Sequence, residues 1–303
     1  MSAPAIRTDG LTKYYGHVIG VEELSLEVAE GDVFGFLGAN GSGKTTTIRL
    51  LLDLLRPSAG TASVAGFDCQ RQGLEARRRI GYLPGEMPIY PELTGAGYLK
   101  FLASLGDRPV KPARLAALFR RFDVSDVDLR RRMRDYSHGM KRKLGLVQAL
   151  MSDAPLLILD EPTTGLDPLM IRAFCECIDE IVRAGRTTVF LSSHVLSEVD
   201  RLCSRVGLVR AGRLVTVRPL AELRVAAPRR LTVRFSAAVD GDVPTAPGVK
   251  VVSRDAYYWV IETHAPLGGV LATLRTLPVA DIEIDAFRLD DVLVTLMAEE
   301  RPC

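Results

Sequence analysis

The sequence predicts an α/β fold: a core built on a parallel sheet, an all-helical insert within it, and a small α+β domain at the C-terminal end. Three observations carry this. Short apolar runs at 33–37, 156–159, 187–191 and 206–209 end in glycine-rich or polar residues. Strands of a parallel sheet buried on both faces read this way. Between residues 83 and 153 the apolar residues instead recur at helical spacing. From about residue 224 the pattern turns to period two, as in antiparallel strands.

The 303 residues suggest about two domains. The net charge of +2, 25% charged and 47% hydrophobic residues are ordinary for a folded chain. They exclude a mostly disordered chain and a strong nucleic-acid field, so no nucleic-acid partner is expected. Five scattered cysteines give no disulfide framework. Cys175-x-Cys177 lacks a second pair at zinc spacing, and buried reduced thiols are the better reading. Residues 1–10 carry Arg7 and Asp9 and do not read as a secretory signal. No stretch approaches the ~18 apolar residues of a membrane helix.

In chain order, Val33-Phe34-Gly35-Phe36-Leu37 is a strand, followed by a glycine-rich loop and a helix over 44–54. Tyr98, Phe101, Leu102 and Leu105 form one helical stripe; Leu115, Leu118 and Phe119 form another. The run Arg130-Arg131-Arg132-Met133-Arg134 reads as a solvated face. A helix is expected over 141–150, then strands at 156–159, 187–191 and 206–209. The first domain spans 1–222, with the helical insert at about 86–154. The second spans 228–303, with strands at 231–235, 249–252, 257–261 and 282–284, helices at 266–277 and 289–297, and a loop over 238–248.

Gly38-Ala39-Asn40-Gly41-Ser42-Gly43-Lys44-Thr45-Thr46 fits the pattern G-x-x-x-x-G-K-[ST]. Its glycines let successive backbone N–H groups curl around phosphates, and the helix that follows points its positive end at the same anion. Lys44 reaches β- and γ-phosphates and Thr45 offers a hydroxyl to Mg²⁺. An apolar strand before the loop and an apolar helix after it complete the context. A nucleoside triphosphate with Mg²⁺ is therefore the expected ligand. Leu156-Leu157-Ile158-Leu159 delivers Asp160 to the sheet edge, where it can hold the metal, and Glu161 stands ready to polarise water. A plain helix cap is the competing explanation of these acids. The phosphate loop in the same chain favours catalysis.

These motifs resemble the ATP-binding subunit of ABC transporters over residues 5–215. The resemblance implies a P-loop (RecA-like) core and an ATPase, so that the nucleotide is ATP. Tyr15 sits where that family stacks an aromatic ring on adenine, with Tyr14 as rival for the role. Ser137, His138, Gly139 and Met140 stand in the signature that covers a partner's ATP, although His138 and Met140 depart from the usual residues. Asp167 matches the D-loop, and His194 the histidine at the γ-phosphate. Gly85 occupies the position of the family's glutamine, with Glu86 next to it as a possible substitute.

The resemblance is nearest the ABC-2-type export branch, which includes drug- and antibiotic-resistance ATPases. Phe287-Arg288-Leu289-Asp290-Asp291-Val292-Leu293 resembles the C-terminal extension of that branch. It implies a peripheral protein at the cytoplasmic face, a homodimer of ATPase subunits and a separate membrane permease. Gly85 and His138 motivate an alternative, a nucleotide-gated regulatory subunit with weak hydrolysis. A guanine reader N-K-x-D, a second cassette and a long heptad insert are all missing from the sequence, which argues against other P-loop classes.

Overall fold

The structure, a computed structural model, describes residues 3–88, 90–185, 187–226, 229–239, 248–263 and 266–285. Its packing divides the chain into two units, Met1–Pro219 and Leu220–Cys303.

The first unit opens with two long strands, β1 (Ile6–Tyr15) and β2 (Val18–Val28). β3 (Val33–Leu37), buried along its whole length, leads through a loop into α1 (Lys44–Leu51). β4 (Ala59–Val64), β5 (Phe67–Asp68), α2 (Gly73–Arg77) and β6 (Ile80–Leu83) follow. The helical insert then comprises α3 (Gly95–Leu105), α4 (Pro112–Arg121), α5 (Asp126–Arg130), a 3-10 turn at Met133–Asp135, and α6 (His138–Leu150). Alternation resumes with β7 (Leu156–Asp160), α7 (Pro168–Arg183), β8 (Thr188–Ser193), α8 (Leu196–Leu202), β9 (Arg205–Arg210) and β10 (Arg213–Pro219).

The main sheet has the order β10-β9-β3-β8-β7-β6, parallel from β9 to β6, with β10 antiparallel at one edge. A second, antiparallel sheet has the order β2-β1-β4-β5. α1 packs against β2, β4 and β7, so it joins the two sheets. Their apolar faces form one core, in which Ile6, Leu11 and Leu24 join Phe34, Phe36, Ile48, Ile158 and Phe190. Phe190 stacks on Phe34 with centroids 5.8 Å apart and lies 5.2 Å from Phe36.

Two helix boundaries in the first unit differ from the sequence reading, and in the second unit the helix expected at 266–277 spans Leu267–Leu274. α1 stops at Leu51, not at residue 54, because the chain turns through Asp53 in the left-handed region (φ 55°). α6 starts at His138, not at Lys141, because the Ser137 hydroxyl caps it by accepting from the Met140 N–H at 3.2 Å.

The second unit holds α9 (Leu220–Ala226), β11 (Arg229–Phe235), β12 (Val249–Arg254), β13 (Tyr258–Thr263), α10 (Leu267–Leu274) and β14 (Val279–Asp285). Its sheet is antiparallel, in the order β12-β13-β11-β14. Leu231, Val233, Phe235, Trp259 and Ile261 meet Val270 and Leu274 of α10. Phe235 and Trp259 pack edge to face, 4.7 Å between centroids. The expected helix at 289–297, the segment Phe287 to Leu293 and most of the loop over 238–248 lie outside the described residues.

Among the described residues, no helix is long and apolar enough to cross a membrane. Cys69, Cys175, Cys177 and Cys203 are free and buried. Phe190 is fully buried where the two sheets share their core. Phe190→Ala should cost about 3–5 kcal/mol of stability. Chemical denaturation followed by circular dichroism measures this.

Candidate functional site

β3, β6, β7 and β8 are parallel and end on one edge of the sheet. In open α/β sheets ligands bind at this edge. Residues 38–43 leave β3, Pro84-Gly85-Glu86 leave β6, Asp160-Glu161 end β7, and Ser193-His194 end β8.

The loop after β3 is tightly folded. Gly43, the N-cap of α1, has φ 110°, and a Cβ there would lie 2.5 Å from the Gly20 carbonyl oxygen. A side chain is excluded on both grounds. Lys44 is buried, and its ammonium donates to the carbonyls of Gly38 (2.8 Å) and Ala39 (3.2 Å). Burial holds its pKa below the usual lysine value, while Glu161 and Asp160 pull in the opposite direction. The Ser42 hydroxyl is buried and has no hydrogen-bond partner among the described residues. Such an orphan group suits an incoming phosphate oxygen.

Asp160 is 2% exposed. Thr45 Oγ1 donates to its Oδ2 at 3.0 Å, and Ser192 Oγ donates to its Oδ1 at 2.5 Å. Hydroxyls around a carboxylate form an all-oxygen set that fits Mg²⁺. Glu161 follows with φ 49°, a left-handed conformation uncommon outside glycine. Its N–H donates to Ser192 O and Ser192 Oγ, each at 3.1 Å. Its Oε1 lies 3.2 Å from His194 Nδ1 and 3.8 Å from Lys44 Nζ, and Thr164 Oγ1 donates to Oε2 at 3.4 Å.

Lys44, Thr45, Asp160 and Glu161 face an open cleft of about 750 Å³, whereas His194, Ser192 and Ser42 are not part of its lining. It is lined by Tyr15, Asn40, Gly41, Gly43, Lys44, Thr45, Thr46, Gly85, Glu86, His138, Asp160, Glu161 and Thr164, with Val18 and Ile19 beside Tyr15. Tyr15 is half exposed, with the Lys13 ammonium 5.6 Å from its ring centroid. The Tyr14 hydroxyl is instead tied to Glu22 Oε1 at 3.1 Å. The Cβ direction of Gly85 points at Asp160, at 3.2 Å from Oδ2.

Other expected residues sit elsewhere. Ser137, Gly139 and Met140 do not line this cleft. His138 does line it, and its imidazole packs against Gly165, which has φ 80°. Asp167 caps α7, accepting from the Met170 N–H at 3.0 Å.

Three groups at the site were not singled out by motif. Ser192 had a sequence signal, as the first polar residue after an apolar run. Glu198 had none. It is buried and accepts from Thr163 Oγ1 at 2.5 Å, which joins α8 to the segment after Glu161. Arg142 lay within a Lys-Arg-Lys run that reads as surface.

A family model described as ABC transporter matches residues 21–164. Over 312 residues the chain is 35% identical to the daunorubicin resistance ATP-binding protein DrrA3 of Streptomyces coeruleorubidus, covering 99% of this chain and 98% of that protein. It is also 35% identical over 227 residues to the bacitracin transport ATP-binding protein BcrA of Bacillus licheniformis, covering 72% of this chain and 71% of that one. Among solved structures, the ATP binding subunit of an ABC transporter matches with TM-score 0.67 and 29% identity, covering 73% of this chain and 92% of its own.

Burial holds the Glu198 pKa above the usual carboxylate value, with the Thr163 hydrogen bond working against it. A carboxyl raised in the folded state lowers stability as pH climbs from its unfolded pKa through its folded one. Glu198→Gln removes that cost and keeps an acceptor for Thr163. The variant should melt above the wild type at pH 7–8, and the gain should shrink toward pH 5. Thermal melts across that range measure it.

Proposed function

This chain belongs to the ATP-binding proteins of ABC transporters and is an ATPase, and on that premise we propose that it powers export through a separate ABC-2-type membrane permease. The observation that carries the reading is the position of Glu161. Its carboxylate lies within 3.2 Å of His194 and 3.8 Å of Lys44, at the mouth of the phosphate loop.

The backbone of residues 38–43 and the Lys44 ammonium hold the β- and γ-phosphates of ATP. Thr45 and Asp160 would hold Mg²⁺, which would neutralise charge on those phosphates. Glu161 takes a proton from water as its oxygen attacks the γ-phosphorus. The bond from that phosphorus to the bridging oxygen breaks, and ADP carries the released electron pair. Lys44 and His194 stabilise charge on the transferred phosphoryl group. Tyr15 stacks on the base, a contact worth roughly 1–3 kcal/mol in comparable settings. Glu161 and His194 together favour hydrolysis over a purely regulatory role.

The active form is a homodimer. Ser137, Gly139 and Met140 lie outside their own cleft, at the capped N-terminus of α6, and in this reading they cover ATP bound to a second copy. The chain sits peripherally on the cytoplasmic face of the membrane, against its permease. Glu86, exposed and lining the cleft beside Gly85, supplies the side-chain contact that Gly85 lacks.

Two measurements test this. Glu161→Gln should bind ATP as the wild type does but release phosphate at least ~100-fold more slowly. It should also recover a polytopic membrane protein when the tagged chain is pulled from detergent-solubilised membranes with ATP. Wild-type turnover in the variant refutes the base assignment, and recovery of soluble partners alone refutes the export role. Glu86→Ala should slow ATP hydrolysis by about tenfold, within the range for lost positioning. An unchanged rate removes Glu86 from the site.

A further inference from the structure

Arg142 lies on α6, between the signature residues and the core, and is 2% exposed. Its guanidinium donates only to backbone carbonyls. Nη1 reaches Pro84 O at 2.7 Å and Gly85 O at 3.2 Å. Nη2 reaches Asp160 O at 2.8 Å and also Glu161 O. Nε reaches Pro162 O at 3.1 Å. A guanidinium has five N–H donors, and five carbonyls receive them here. Among the described residues, no carboxylate stands within ion-pair distance of it. Burial pulls its pKa down to about 10, still far above neutrality, so the group is charged.

A buried charge is costly, and a neutral side chain would serve mere packing better. The location of these bonds suggests what the charge does. Three carbonyls bracket Glu161, whose φ of 49° is sparsely populated and persists only where neighbours over-determine it. The other two, those of Pro84 and Gly85, follow β6, directly before Glu86.

We propose that Arg142 is a positioning residue for ATP hydrolysis: it clamps the turn carrying Glu161 and ties that turn to residues 84–85. The proposal rests on Glu161 as the base. Arg142 does not line the cleft that holds Lys44 and Glu161. It fixes where the Glu161 carboxylate stands, and it transmits displacement of residues 84–86 to that carboxylate. Lysine cannot replace it, since one ammonium cannot fork to both segments.

The test uses the full chain and compares Arg142→Gln, Arg142→Lys, Glu161→Gln and the double variant Arg142→Gln/Glu161→Gln in steady-state ATPase assays. Arg142→Gln should lower kcat at least ~10-fold, since small misplacement of a reacting group has effects of this size. KM and equilibrium ATP affinity should stay within about threefold, because the phosphate loop is untouched. Arg142→Lys should recover little of the rate. The double variant should be no slower than Glu161→Gln alone, because Arg142 acts through Glu161. Wild-type kcat in Arg142→Gln, or losses that multiply in the double variant, overturns the proposal. Should circular dichroism show Arg142→Gln unfolded, the same split of kcat from KM in Arg142→Lys decides. If Glu161→Gln hydrolyses at the wild-type rate, the base assignment fails. If Glu161→Gln is slow while both Arg142 variants are fast, this inference alone fails.

Discussion

Asp160 faces Ser192 across the parallel pair β7 and β8, and Leu37 faces Ser193 across β3 and β8. The chemistry of the site depends on this register. Ser192 donates to the Asp160 carboxylate and accepts from the Glu161 N–H, so one hydroxyl sets both acids. A slip of one residue would turn Asp160 to the opposite face of the sheet. The register is held by apolar side chains distant from the chemistry. β3, β7 and β8 are buried at every residue, and Phe34 stands opposite Phe190 in stacked contact. Hydrophobic packing therefore decides where the charges end up.

Those charges are costly. Lys44, Asp160 and Arg142 are each at most 5% exposed, and all belong to one edge of the sheet. Each is satisfied differently. Asp160 takes two hydroxyl donors, Arg142 takes five carbonyls, and Lys44 takes two carbonyls with Glu161 at 3.8 Å. Lys44 has two carbonyls for the three donors of its ammonium, and burial holds its pKa below the usual lysine value. An arriving phosphate would supply the full counter-charge that the carbonyls do not. Desolvation thus makes the loop a stronger anion receptor, because the ammonium gains more from an anion than a hydrated lysine would.

Four of the five parallel strands, β3, β7, β8 and β9, and the phosphate loop were legible because a continuous apolar run has few other meanings, whereas glycine and tyrosine interrupt the short β6. The helical insert was legible from spacing. The sheet of β1, β2, β4 and β5 was not separated from the core, because its strands alternate buried and exposed residues and carry polar side chains at their edges. The start of α6 carried a signal in Ser137, but the glycine at 139 obscured it. Glu198 and Arg142 were illegible for a different reason. Charged residues on a helix are normally solvated, and the groups that receive Arg142 are backbone atoms 18 to 58 residues away in sequence. Only the folded chain brings them together.

In the proposed reading, Gly85 is the residue with most bearing on how the segment after β6 connects to the acids. A side chain at this position would begin 3.2 Å from the Asp160 carboxylate, so glycine leaves that acid uncrowded. It also leaves residue 85 itself without a side-chain link to the acids. Residues 84 and 85 are linked to the acids through carbonyls, which every residue carries. Arg142 holds Pro84 O and Gly85 O with one nitrogen, and the turn at Asp160 and Glu161 with another. Because a guanidinium is rigid and planar, displacement of one segment is felt by the other without any contribution from the residue at 85. A glycine there is compatible with a connected site for that reason, and residue 85 alone is a poor guide to whether the two segments move together.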